Sequence, residues 1–174
     1  MGTHISLEYF THPFPQSSII ARFEPKVRNF SQPLTIIGAH QDSANYLFPL
    51  LPAPGADDDC SGTVSILEAF RVLAESGFTP KDGPVEFHWY AAEEGGLLGS
   101  QYIARYKKEQ GVRIGAMMEF VGGLALACVK SSHVRANCWP VGHDSVYCPQ
   151  CDRDHGFCLN QGKRTAHKLD SESE

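Results

Sequence analysis

The chain has 174 residues, of which 42% are hydrophobic and 20% charged, as is ordinary for one globular domain with a real core. Its formal net charge of -5 argues against nucleic-acid binding, and no apolar run is long enough to span a bilayer. Residues 1–120 hold all the excess acid, whereas five of the six cysteines follow residue 127, so the composition predicts a boundary near residue 120.

The first 120 residues alternate between strand and helix patterns. Two short β-like runs, Leu7–Phe10 and Ser18–Phe23, flank a Pro-containing turn and predict a hairpin at a sheet edge. The predicted elements that follow are a buried strand from Leu34 to Ile37, a helix at Thr63–Ser76, a strand at Val85–Ala91, a helix at Leu97–Glu109 and a strand at Ile114–Phe120. This alternation predicts an α/β fold in which helices cover the faces of a parallel sheet.

Helical periodicity also predicts which side chains of the two helices face the sheet. In the first helix these are Ile66, Phe70 and Leu73, broadened by Val64, Leu67 and Val72. In the second helix the pattern predicts Tyr102, Ile103 and Tyr106 inward, and Arg105, Lys107 and Lys108 outward.

Side chains that suit a metal ion follow the ends of the predicted strands. His40 and Asp42 follow the first buried strand, Asp57–Asp59 precede the first helix, and Glu93 and Glu94 follow the next strand. In parallel sheets, ligands bind outside the carboxyl ends of the strands. These groups are therefore expected together at that edge of the sheet, which is called the rim below. Several carboxylates close together repel one another unless a cation neutralises them. A solvated acidic loop is the simpler alternative for each motif taken alone.

The adjacent residues Glu93 and Glu94 could take different roles in hydrolysis. Two glycines follow it, where the backbone can turn tightly. One glutamate can bind a metal ion while its neighbour takes a proton from a metal-bound water. The residues therefore predict a metal-dependent hydrolase.

Three motifs, GAHQDS from Gly38, PGADDDCSG from Pro54 and YAAEEGGLLGSQ from Tyr90, resemble those of the co-catalytic dizinc aminopeptidases. The closest likeness is to the secreted leucine aminopeptidases of filamentous fungi, and it covers residues from about 7 to 120. The resemblance implies a three-layer α/β/α fold with a mainly parallel central sheet. It also implies two zinc ions and peptide substrates with a free N-terminus.

The resemblance also assigns roles to individual residues. His40 would bind one zinc, Asp58 would bridge both zinc ions, Glu94 would bind the other zinc, and Glu93 would be the general base. Asp42 would hold the His40 ring in place, as carboxylates commonly do for metal-bound histidine. The same resemblance implies a cis peptide bond between Asp58 and the next residue, and Cys60 stands where the family usually has Gly or Ala.

The resemblance ends after Phe120. The next residue is Val121, where the family has an Asp that completes one zinc site, and the distal His of the other site has no counterpart. Each half-site is therefore expected to lack one of the three protein ligands of a catalytic zinc, so at most one weakly held Zn²⁺ is expected. The fold is expected to be truncated after a central strand, with an exposed edge and partial aggregation.

Residues 121–174 form an unrelated, Cys-containing tail for which several interpretations stay open. Its polar end and weak periodicity favour disorder. The spacing C-x2-C-x3-H-x2-C could mark a zinc knuckle, and two other cysteines could pair if the chain were exported. These residues are Cys148, Cys151, His155 and Cys158 for the knuckle, and Cys128 and Cys138 for the disulfide. Intron read-through is a further hypothesis, because the GT that begins most introns can encode Val.

Three functions compete on this sequence. The first is a zinc aminopeptidase that is impaired in this truncated chain, and the second is an inactive remnant that binds a metal ion or a peptide. The third is a binding module formed by the Cys/His tail. The first thirty residues lack a secretion signal, although full-length relatives are expected to be secreted.

Overall fold

The computed structural model describes residues 4–48 and 50–122 and, beyond them, the backbone of residues 124–129, 139–141 and 145–147. The main strands and helices are β1 (Ile5–Phe10), β2 (Ser18–Phe23), β3 (Leu34–His40), α1 (Gly62–Glu75), β4 (Val85–Tyr90), α2 (Leu98–Glu109), β5 (Ile114–Val121) and β6 (Leu124–Val129). A separate ribbon pairs β7 (Trp139–Val141) with β8 (Ser145–Tyr147). Within this described part, neither helix is long and apolar enough to cross a membrane.

The six main strands form one mixed sheet in the order β1-β2-β4-β3-β5-β6. Strand β3 lies in parallel between β4 and β5, whereas the β1–β2, β2–β4 and β5–β6 pairs are antiparallel. The predicted α/β class and the hairpin at the sheet edge are thus confirmed. The parallel strands occupy the centre of the sheet, which places the carboxyl ends of β3, β4 and β5 side by side.

The expectation that β5 leaves an exposed sheet edge is wrong. Strand β6 pairs antiparallel with β5 along its length, from Val121 opposite Leu124 to Ala116 opposite Val129. The reversal is possible because Gly122 adopts φ +52°, a conformation that costs glycine little.

Two cores lie on opposite faces of the sheet and confirm the three-layer arrangement. Neighbouring residues of one strand point to opposite faces, so Ile36 belongs to one core and Ile37 packs against the other. Helix α1 covers the second face, where Ile66 and Phe70 pack with aromatic side chains of β2 and β4. Helix α2 covers the first face through Ile103.

The predicted inward and outward faces of α2 are wrong in part. Lys107 was expected to face solvent, yet it is buried, and its Nζ donates to Glu86 Oε1 at 2.8 Å. The same carboxylate accepts hydrogen bonds from Arg22 Nε at 2.7 Å and from the His88 ring at 2.7 Å. A buried carboxylate on β4 needs cationic partners, so it draws one of the lysines inward. The two tyrosines predicted inward are 36% and 44% exposed instead.

Helix α1 buries a narrower stripe than its periodicity predicts. Ile66 is fully buried and Phe70 packs in the core, as expected. The residues expected to broaden that face, Val64, Leu67 and Val72, are instead about half exposed. In the described part of the chain, α1 therefore presents apolar side chains to solvent.

Candidate metal centre

His40 and Asp58 are brought into direct contact at the carboxyl end of β3. The His40 ring is buried, and its Nε2 lies 2.9 Å from Asp58 Oδ1. Glu93, three residues after β4, places Oε2 3.9 Å from the same ring nitrogen. Two carboxylates that the sequence assigned to the site thus approach the same nitrogen of the His40 imidazole.

Asp42 contacts both the His40 ring and the turn that carries Glu93 and Glu94. Its backbone carbonyl lies 3.0 Å from His40 Nδ1, whereas its carboxylate oxygen Oδ1 lies 3.7 Å away. The carboxylate instead accepts the backbone N–H groups of Glu93 and Glu94, at 3.0 and 3.1 Å. The ring is therefore held mainly by the Asp42 carbonyl, while the carboxylate holds the glutamate turn. The side-chain contact implied by the resemblance is the longer one.

Asp59 ties three elements together beneath the site. It is buried, and its carboxylate accepts the backbone N–H groups of His40 at 3.1 Å, Gly62 at 3.1 Å and Gly122 at 3.3 Å. The peptide bond between Asp58 and Asp59 is cis, as the resemblance implies. This carboxylate therefore stabilises the backbone around the site.

Glu94 is held by a loop that the sequence motifs did not single out. Its Oε1 accepts the Ala44 N–H at 3.2 Å, and its Oε2 accepts a hydrogen bond from the Tyr46 hydroxyl. This hydrogen bond raises the pKa of Tyr46 to about 12. The sequence analysis did not identify Tyr46. Its only signal in the sequence is its position four residues after Asp42.

The charges at the rim shift the pKa values of His40 and Glu93 upward. Burial alone would lower the pKa of His40, but the nearby Asp42 carboxylate and the charges of Glu93 and Asp59 outweigh it and raise the pKa to about 9. Burial raises the pKa of Glu93, and neighbouring carboxylates add to this effect against the opposing charge of His40. A carboxylate with a raised pKa is a better proton acceptor near neutral pH.

The donor types at this rim suit a divalent cation. Imidazole and carboxylate are ligands that zinc takes, and no Lys or Arg of the described residues forms an ion pair with Asp58, Glu93 or Glu94. The number of donors is smaller than a complete site requires. No three His, Cys, Asp or Glu side chains in the described ranges are arranged to hold one ion. Cys60 is an exposed, free cysteine, and it adds no third ligand to His40 and Asp58.

The cysteine and histidine side chains of the predicted knuckle and disulfide lie outside the described residues. The interpretation of residues 121–174 as an unrelated tail stays a prediction, and the same holds for intron read-through.

Comparison with known sequences finds similarity over the same region. The sequence profile of Peptidase family M28 matches residues 18–123. Leucine aminopeptidase 1 of Chaetomium globosum is 50% identical over 120 residues, which are 67% of this chain and 29% of that protein. Leucine aminopeptidase 1 of Phaeosphaeria nodorum is 53% identical over 122 residues, 68% of this chain and 30% of that protein.

Comparison with solved structures finds similarity to two proteins of Legionella pneumophila over about two thirds of this chain. The LapA aminopeptidase of Legionella pneumophila superposes with a TM-score of 0.55 and 36% identity, covering 66% of this chain and 29% of that one. LapB of the same organism superposes with a TM-score of 0.56 and 30% identity, covering 68% and 30%. This chain therefore spans about 30% of the length of the relatives that it matches.

Proposed function

Because this chain belongs to peptidase family M28, we propose that it forms the N-terminal part of a zinc-dependent aminopeptidase, which removes N-terminal residues from peptides. The observation that carries the proposal is the convergence of His40, Asp58 and Glu93 where β3 and β4 end. The sequence similarity to leucine aminopeptidases and to LapA supports the same reaction class.

The residues at the rim divide into ligands and a base. His40, Asp58 and Glu94 would hold the metal ion, which would act as a Lewis acid toward the carbonyl of the scissile peptide bond. Glu93 is the general base, because its raised pKa and its place beside His40 suit it to take a proton. Asp42 holds the backbone turn that carries both glutamates, since its carboxylate accepts two consecutive backbone N–H groups.

The chain as it stands is proposed to have impaired activity. It covers about 30% of its relatives' length, and Val121 provides no ligand at the end of β5. A catalytically inactive remnant that binds a metal ion or a peptide is the second candidate. The lack of any three-donor group among the described residues favours loss of activity in the chain alone.

The test compares this chain with a longer version that carries the C-terminal part of a fungal leucine aminopeptidase. We expect the longer version to hydrolyse leucyl p-nitroanilide and to contain zinc, and the short chain to be much slower. In the longer version Glu93→Gln should abolish turnover with zinc retained, whereas Glu94→Gln should lose zinc as well. Glu109→Gln, an exposed residue at the end of α2, serves as the control. Equal zinc loss in both variants would show that the two roles are misassigned.

A further inference from the structure

Tyr46 and Ala44 hold both oxygens of the Glu94 carboxylate from one short loop. The Tyr46 hydroxyl donates to Oε2, and the Ala44 N–H donates to Oε1 at 3.2 Å. A second, longer contact of 3.4 Å joins the Tyr46 hydroxyl to the Glu94 carbonyl oxygen. Two donors that approach different oxygens fix the plane of a carboxylate, which a single hydrogen bond cannot do.

The place of Tyr46 is not explained by core packing. Its side chain is 68% exposed, so apolar burial does little to hold its hydroxyl against Glu94. The loop itself is fixed by side-chain to backbone hydrogen bonds on both sides of the tyrosine. Ser43 Oγ donates to the Ala53 carbonyl at 2.6 Å, and Asn45 Oδ1 accepts the Phe48 N–H at 3.0 Å. The loop therefore brings the phenol to Glu94 by its own structure.

We propose that Tyr46 is a positioning residue, which orients Glu94 for a divalent cation at the rim. The inference rests on the proposed function, in which Glu94 is a metal ligand. Each carboxylate oxygen has two lone pairs, so a donor on one of them leaves the other available to the cation. Hydrogen-bond partners of ligating carboxylates raise metal affinity because they fix the ligand before the ion arrives.

The experiment measures zinc affinity of the full chain by competition with a chromogenic chelator. The variants are Tyr46→Phe, which removes only the hydroxyl, Glu94→Gln, and the double variant. Tyr9→Phe on β1 is the matched control, because Tyr9 is 66% exposed and lies on the edge strand. Circular dichroism of each variant checks that the fold is kept.

Tyr46→Phe should weaken zinc binding about tenfold, at the low end of the effect of outer-shell partners, since water can reach the exposed site. The control should bind like the parent chain, and the double variant should bind no more weakly than Glu94→Gln alone. If Glu94→Gln weakens binding and Tyr46→Phe does not, the inference is overturned and the ligand assignment stands. Tighter binding by Tyr46→Phe, or additive losses in the double variant, would also overturn it. If the parent chain takes no zinc, or Glu94→Gln changes nothing, the metal-site proposal fails together with the inference.

Discussion

Replacing Val121 with Asp should give the chain a third ligand for one metal ion. Val121 ends β5, and Glu119, two residues earlier, lies opposite Gly38 in the parallel pair with β3. Side chains two residues apart along a strand lie on the same face of the sheet. Position 121 therefore shares a face with Glu119, and His40 shares that face with Gly38. The neighbouring Gly122 N–H already donates to Asp59, so this end of β5 lies at the acidic rim.

The size of the effect follows from the number of ligands. Four-ligand structural zinc sites bind with about 10–16 kcal/mol, which is roughly 3 kcal/mol for each ligand. The new carboxylate is repelled by those already present, so we expect about 2–3 kcal/mol, or roughly a 30- to 160-fold tighter Kd. Full activity should not return, since no distal His is supplied.

The assay is zinc titration of the full chain by chelator competition, together with metal content after gel filtration. Val121→Asn is the matched control for size, because its neutral amide oxygen is a weaker ligand than a carboxylate. Val112→Asp, at a position 37% exposed before β5, controls for the added negative charge. If Val121→Asp binds zinc no more tightly than Val121→Asn, the placement of position 121 at the rim is refuted. Two tightly held zinc ions in the unmodified chain would show that other residues already complete the site.

Three further predictions concern the folded chain without metal. The pKa of His40 is raised to about 9 in the folded chain. The stabilisation from protonated His40 is therefore complete below the pKa of about 6.5 in the unfolded chain, and it is lost as the pH rises through 9. An NMR titration midpoint of His40 at or below about 6.5 would contradict this. Lys107→Met should lower the free energy of unfolding by about 3 kcal/mol, measured by urea denaturation, because it leaves buried Glu86 short of a cation, whereas exposed Lys108→Met should have little effect. Gel filtration should show partial aggregation that Leu67→Glu on α1 reduces, and a monomeric parent chain would count against this expectation.

The sequence predicted the sheet and the position of the site because both depend on local patterns. Apolar runs that end in Gly, His or Glu are visible over a few residues, and strand–helix alternation then brings their ends to one rim. The inward turn of Lys107 was not predictable in this way. It depends on Glu86, 21 residues earlier, and helical periodicity treats every lysine as polar.

The contacts that shape the rim were missed for the same reason. The Asp42 carboxylate reaches amides 51 and 52 residues further along the chain, and Tyr46 reaches Glu94 across 48 residues. Nothing in the spacing of one loop reveals which donor on another loop it will meet. The resemblance supplied the ligand roles, but it could not supply a hydrogen bond formed by a tyrosine outside its three motifs.

The three amides that meet on Asp59 set a lower limit on the length of a useful fragment. They come from His40 in β3, from Gly62 at the start of α1, and from Gly122 after β5. A fragment that stopped before residue 122 would keep the buried carboxylate but lose one of its donors, which costs about 1–3 kcal/mol for a buried acceptor. Crystallisation or labelling work on this domain should therefore place its C-terminal cut beyond residue 122 and outside the β5–β6 turn.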